Sequence, residues 1–364
     1  MTGNATFEAP ANAMAVGDRA QNFVLPDSRG KFVMFYERTR GRPVILLFTP
    51  GRAQADAAAT IEAFIRQGRE FEDRNLDIFC VSLDSPADND GLSAPFLIWS
   101  DPERAITAAY LKQIGVPVPL RGPPPDLVTA FLLDANQRVL ALRIGSGADL
   151  VSWALTFYDS QPTPAAARVR AAGAPVLIMP NLLDRTMCRA LIELWREKGH
   201  EEGTVGSVLQ GAETDRVYAQ VKRRLDHRIT DPVVNRALQQ TIGRRIAPEV
   251  HKAFSFEGFR FDRFLVVCYD AARGDRFRPH RDNLSPGTAE RRFALTLNLN
   301  SEEYEGGELV FPEYGPDLYR PESGGAVIFS CSLIHEALPV RQGRRFALLT
   351  FLRDLPAASS TATT

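Results

Sequence analysis

Five histidines occur in this 364-residue sequence, and all of them, His200, His227, His251, His280 and His335, fall in its second half. Chemistry that needs imidazole is confined there. In the segment Arg278-Pro279-His280-Arg281-Asp282-Asn283 a carboxylate follows a histidine two residues later. On an extended chain residues i and i+2 share a face, so His280 and Asp282 can bind one metal ion while Arg281 points away. Such a pair alone is ordinarily a surface or hydrogen-bonding pair. A third ligand is available in His335, which follows the strand-like Ala326-Val327-Ile328-Phe329 and can close the site from across a barrel. Two histidines and a carboxylate on one face leave adjacent coordination positions open, the donor set with which non-haem Fe(II) holds a bidentate cosubstrate and O₂. Arg345, ten residues beyond His335, can take a dicarboxylate end-on through two parallel charge-assisted hydrogen bonds. 2-Oxoglutarate needs this, because its keto-acid end chelates iron while its far carboxylate must be neutralised.

The elements that must position these groups are short. From residue 261 onward, apolar stretches at 264–269, 293–299, 307–311, 325–329 and 346–352 are separated by Gly-, Pro- and Asp-rich turns. This pattern predicts a β-sandwich or jelly roll behind a helical layer. The layer comes from helices predicted over 184–198, with Leu183 and Asp184 as staple and cap, and over 231–253. Alternation along the last strand puts Arg344 on the face opposite Arg345, and leaves Arg344 and Arg341 as alternative anchors. Earlier in the chain, strand-like runs at 44–48, 78–83, 96–99 and 129–133 alternate with helical stretches at 55–73 and 102–114, which predicts an α/β domain. Between the two patterns, Ser160-Gln161-Pro162-Thr163-Pro164 leads into alanine-rich sequence that reads as an exposed linker. The expected division is 1–160, a linker at 161–174, 175–356, and a frayed tail at 357–364.

Several stretches of the second half resemble the prolyl 4-hydroxylase-type branch of the Fe(II)/2-oxoglutarate dioxygenases. They are Val267-Cys268-Tyr269-Asp270 running to His280-Arg281-Asp282-Asn283, Leu299-Asn300 with Glu305-Gly306-Gly307-Glu308-Leu309-Val310-Phe311, and Gly324-Gly325-Ala326-Val327-Ile328-Phe329 to His335-Glu336-Ala337-Leu338-Pro339-Val340. The resemblance implies a double-stranded β-helix, with His280, Asp282 and His335 as iron ligands and Arg345 as cosubstrate anchor. It also implies that Tyr269 contacts 2-oxoglutarate, and gives Asn298 a place where some members use tyrosine for that purpose, with a strand residue satisfied by its neighbours as the bland alternative. Phe277 replaces a frequent tyrosine and cannot donate a hydrogen bond. The implied reaction hydroxylates a C–H bond while 2-oxoglutarate is converted to succinate and CO₂, with Fe(II) and O₂ required and ascorbate as an optional reductant. Asp282 favours hydroxylation over halogenation, since related halogenases have a small residue there.

The first half resembles the peroxiredoxins, which have a thioredoxin fold. The resemblance rests on Gly17-Asp18-Arg19-Ala20-Gln21-Asn22-Phe23-Val24-Leu25-Pro26, Arg42-Pro43-Val44-Ile45-Leu46-Leu47-Phe48 and Trp99-Ser100-Asp101-Pro102. That family places a cysteine seven positions after the proline of its F-x-P signature; here Pro50 is followed at that spacing by Ala57, with Gln54 and Val128 where a threonine and an arginine would support the thiolate. Cys80, alone in this half, lies in a strand-like run and reads as a structural thiol. A non-catalytic domain that packs on the second or recruits its substrate is expected.

Composition bounds the rest. Lys plus Arg numbers 43 against 44 for Asp plus Glu, so no bulk field draws nucleic acid or an anionic membrane. Four well-separated cysteines exclude a CxxC site, and the lack of a targeting segment makes the cytoplasm the expected location. The run Lys222-Arg223-Arg224 reads as a solvated face, with contact to an acidic substrate as the alternative. Substrate choice, between peptide or protein and small molecule, is expected to lie in loops such as 203–216 and 285–290, and a homodimer through either domain stays open. Two other functions compete: an O₂- or 2-oxoglutarate-responsive interaction protein, and, opposed by Ala57, a thiol peroxidase.

Overall fold

The computed structural model describes residues 13–355 apart from 120, 123, 125, 163–165, 168, 210–211 and 217–219, so the tail and part of the linker lie outside the described residues. Contacts divide the chain into two units between residues 167 and 168.

The first unit is thioredoxin-like. Its five-stranded sheet runs in the order Leu97–Ser100, Asp77–Ser82, Val44–Thr49, Val128–Leu133, Val139–Gly145, the first three parallel and the last two antiparallel. Every residue of Val44–Thr49 is buried, as expected for a central strand covered on both faces. Helix Ala55–Arg66 presses Ala57 and Phe64 onto one face together with Ala154 and Leu155 of helix Gly147–Asp159. Tyr110 and Leu111 of helix Ala105–Lys112 join Phe23, Phe35 and Trp99 on the other.

The second unit is a jelly roll built from two antiparallel sheets. The larger runs Val176–Met179, Ala326–Ser330, Arg291–Asn298, Val340–Asp354, Leu265–Asp270, Leu225–Arg228, Glu201–Glu202; the smaller runs Lys222–Arg223, Arg276–His280, His335–Ala337, Leu309–Val310, Leu318–Tyr319. Two amphipathic helices cover the outer face of the larger sheet. Arg185–Lys198 begins where the Asp184 carboxylate accepts from Met187 N, and Pro232–Phe254 where Asp231 accepts from Val233 N and Val234 N, with proline at the first turn. Leu191, Trp195, Leu238 and Ile242 from these helices meet Val266, Leu295, Phe346 and Leu348 from the sheet.

Three sequence expectations change. The last strand starts at Val340 rather than near 346. Much of the expected loop 203–216 is a hairpin, Val205–Leu209 paired with Ala212–Arg216. Lys222 and Arg224 are buried rather than solvated, both paired with Asp226, while Arg223 stays exposed. Among the described residues no helix is long and apolar enough to cross a membrane.

Candidate active site

A cavity of about 460 Å³ opens between the two sheets of the second unit, lined by His280, Asp282, His335, Tyr269 and Arg345 among others. His280 closes strand Arg276–His280 and lies directly across from His335 at the start of His335–Ala337. The turn after His280 brings Asp282 back beneath both rings, held by its backbone N–H on Cys331 O at 3.0 Å. Asp282 Oδ1 lies 3.5 Å from His280 Nε2 and Oδ2 3.3 Å from His335 Nε2, and one ligand atom from each of the three residues falls within 4.8 Å of the others.

The other ring nitrogens are tied to the backbone. His280 Nδ1 sits 2.8 Å from Arg278 O and His335 Nδ1 3.1 Å from Leu333 O. A carbonyl only accepts, so each Nδ1 carries the proton and each Nε2 turns its lone pair to the cavity, the arrangement that orients histidine toward a metal. Burial pushes the His280 imidazolium down, toward the neutral form a ligand needs. Burial also works to raise the Asp282 carboxyl, but His335 and His280 outweigh it and hold Asp282 far below the usual carboxylate range. Phe277 stacks on the His280 ring at 3.4 Å between centroids and fixes its plane. This donor set of two neutral imidazoles and one carboxylate fits Fe(II).

Arg345 enters from strand Val340–Asp354, which lines the cavity with Arg345, Leu349 and Phe351 while Phe346 and Leu348 face the helices. It is 4% exposed, and among the described residues it has no carboxylate partner and its Nε no acceptor: Nη2 donates over 3.4 Å to Thr296 Oγ1 and 3.3 Å to Asn298 Oδ1. Arg344, on the opposite face as alternation requires, pairs with Asp270 at 2.7 Å, and exposed Arg341 approaches Glu308 at 3.9 Å. Tyr269 is the direct cross-strand neighbour of Arg345, its ring 5.2 Å from the guanidinium. Its hydroxyl accepts from Arg224 Nη1 at 2.9 Å, which leaves the phenolic proton to be donated elsewhere. Asn298 does not line the cavity: its Oδ1 holds Arg345 and its Nδ2 donates to Pro321 O at 2.9 Å. Nothing in the sequence marks Thr296, while Lys222 and Arg224, read there as a solvated face with contact to an acidic substrate as the alternative, line the cavity. Lys222 and Arg224 both meet Asp226, and the alternate spacing 222, 224, 226 is their signal.

In the first unit Ala57 is fully buried in its helix, and Cys80 is buried with Thr49 Oγ1 3.9 Å from its sulfur. Burial pushes the Cys80 thiol up to about 12, the opposite of what a peroxidase requires.

Residues 264–353 match the family model of the 2OG-Fe(II) oxygenase superfamily, and residues 16–139 that of the AhpC/TSA family. A PKHD-type hydroxylase of Maricaulis maris is 35% identical over 97 residues, which are 26% of this chain and 42% of that protein. A PKHD-type hydroxylase of Saccharophagus degradans is 34% identical over 99 residues, 25% of this chain and 43% of that protein. The chain thus spans less than half the length of these curated relatives. Among solved structures, peroxidoxin BcpB from Mycobacterium tuberculosis is 21% identical, covering 41% of this chain and 99% of its own at a TM-score of 0.37. The second half of the chain is therefore similar to the 2OG-Fe(II) oxygenases, a family that implies Fe(II) and 2-oxoglutarate, and the first half to peroxiredoxins, with Ala57 in place of their cysteine.

Proposed function

We propose that this protein is an Fe(II)- and 2-oxoglutarate-dependent dioxygenase that hydroxylates a C–H bond of its substrate and releases succinate and CO₂. The observation that carries the reading is a convergent His-Asp-His set sharing one cavity with a buried arginine that has no carboxylate of its own. Bound iron would supply the redox chemistry that couples O₂ activation to decarboxylation. The chain's residues do the rest. His280 and His335 present Nε2 while their Nδ1 protons stay on Arg278 O and Leu333 O, and Asp282 supplies the anionic ligand. Arg345 takes the far carboxylate of 2-oxoglutarate, Tyr269 donates its proton to the same group, and Thr296 and Asn298 hold the guanidinium in place. Phe277, Phe329 and Leu349 keep the walls apolar and exclude water. The peroxiredoxin-like unit is non-catalytic in this reading, and an external reductant such as ascorbate belongs to it too.

The test is anaerobic addition of Fe(II) and 2-oxoglutarate, which should give a visible charge-transfer band that Asp282→Ala abolishes. Extracts treated with active protein and O₂ should then show succinate release and a +16 Da product that the variant does not make. Absence of the band in the parent protein at saturating 2-oxoglutarate would sink the reading.

A further inference from the structure

The charges around the cavity do not balance. Among the described residues its lining holds six cationic side chains, Lys222, Arg224, Arg263, Arg281, Arg291 and Arg345, against one acid, Asp282. Arg281 is answered by Glu313 at 2.7 Å and Arg291 by Asp262 at 3.0 Å, both behind the wall. Lys222 and Arg224, 6% and 5% exposed, share one carboxylate, Asp226, at 3.2 and 2.6 Å. Arg263, exposed at the rim of the cavity, has no ion pair among the described residues. On the reading above, on which this inference rests, Arg345 is neutralised by the far end of 2-oxoglutarate, and the keto-acid end with Asp282 offsets the two charges of iron. With both loaded, one positive charge remains on the Lys222–Arg224–Asp226 group and another on Arg263.

Lys222 is also short of hydrogen-bond acceptors among the described residues. Lys222 Nζ donates to Thr204 O at 2.8 Å and to Asp226, which leaves one of its three N–H groups unspent above the Phe277 ring. Burial first, then the adjacent Arg224 charge with a contribution from Arg263, pushes the Lys222 ammonium down to about 8. Burying a cation without a counterion is costly, and a neutral substrate packed over this wall would raise the cost by removing water. An anionic substrate would remove it.

We propose that the primary substrate carries a carboxylate, and that this group binds in the same cavity on Lys222 and Arg263, with Arg224 and Asp226 holding Lys222 in place. The carboxylate can belong to a free acid or to an acidic side chain of a peptide, so the experiment has two arms. Fe(II)-loaded protein saturated with 2-oxoglutarate is titrated anaerobically, with affinity read from perturbation of the charge-transfer band. One arm uses N-acetyl amino acids against their primary amides, the other Glu-containing pentapeptides against their Gln counterparts. In at least one arm the acids should bind about tenfold or more tightly than the amides. That ratio should collapse in Lys222→Met and in Arg263→Met and persist in Lys222→Arg, a pattern that a merely structural lysine would not produce. Acid and amide binding alike, no member of either set perturbing the band, or a ratio untouched by both Met variants overturns the proposal. Failure of the band itself removes the dioxygenase reading and this inference with it, whereas a normal band with a ratio near one removes this inference alone.

Discussion

Replacing Arg345 by Met should separate two quantities that ordinarily fall together. In the absence of an anion this guanidinium is 4% exposed and held only by neutral acceptors at 3.3 and 3.4 Å, with Nε unpaired. A buried ion without a partner carries a desolvation penalty of several kcal/mol, and replacing such groups by apolar ones of similar volume is often neutral or stabilising. Methionine retains most of the aliphatic stem, and Thr296 Oγ1, which faces the cavity, can take water instead. The variant should therefore be at least as stable as the parent; a gain of about 1 kcal/mol would raise Tm by roughly 2–4 °C for a unit of this size. 2-Oxoglutarate binding should move the other way. Loss of one partner of a buried charge pair costs about 2–5 kcal/mol, or roughly 30- to 5,000-fold in Kd. Thermal melts of metal-loaded protein without cosubstrate give the first quantity, and anaerobic titration of the charge-transfer band gives the second. A variant that melts several degrees earlier yet binds 2-oxoglutarate as tightly as the parent would refute the reasoning, because Arg345 would then be a structural cation whose counterion had been overlooked.

Tyr269→Phe should weaken 2-oxoglutarate by about 1 kcal/mol, close to fivefold, and Arg224→Met should add nothing to that loss in the double variant, since Arg224 acts on the cosubstrate through the Tyr269 hydroxyl. A full double-mutant cycle of titrations would expose additivity if Arg224 touched the cosubstrate directly. Cys80, buried and with its thiol pushed up to about 12, should resist alkylation by iodoacetamide in native protein at pH 8 and label only after denaturation; peroxide turnover that disappears in Cys80→Ser would show otherwise. Glu302 pairs with Arg185 at 2.6 Å, and that hydrogen bond lowers its carboxyl to about 2 from an ordinary value near 4.5. A depressed carboxyl contributes stability that is fully present above pH 4.5 and lost as pH falls toward 2. Both partners are half exposed, so the contribution is about 0.2–1 kcal/mol. Urea midpoints should differ between the parent and Glu302→Gln at pH 6 and converge at pH 2.

The convergence of His280 and Asp282 was legible because it depends on local rules. Two residues of spacing put His280 and Asp282 within reach of one point, and period 2 distinguished Arg345 from Arg344 before any register was known. His335 needed a strand pairing that only topology supplies, and the structure sets it opposite His280. The anchor's supports were hidden for a similar reason: Thr296 and Asn298 meet Arg345 across a strand pair, and nothing in their own neighbourhood marks them. The basic run misled because three adjacent cations resemble solvated surface, while the strand Lys222–Arg223 is too short for its alternation to stand out. Counting on to Asp226 at the alternate spacing would have corrected it. The final strand seemed to begin late because Arg341-Gln342-Gly343-Arg344 is polar, yet Gln342 and Gly343 pair through their backbones with Tyr304–Gly306, a bond pattern that leaves no mark on hydropathy.

Strand Val340–Asp354 pairs with four others, Phe259–Phe261, Leu265–Asp270, Arg291–Asn298 and Tyr304–Gly306, and lies between the second and third of these in the sheet. Synthesis runs in the opposite order to this architecture. While the ribosome is still translating residues 299–339, the inner edges of Leu265–Asp270 and Arg291–Asn298 have no mate, and the wall that is to hold Arg345 does not exist. The peroxiredoxin-like sheet, by contrast, is complete once residue 145 has emerged. The nascent chain must therefore protect open strand edges for about a ninth of its translation, a demand that the early unit does not make. Termination between residues 168 and 339 would leave the residues of the first unit complete but remove the strand that joins the two parts of the large sheet and carries Arg345.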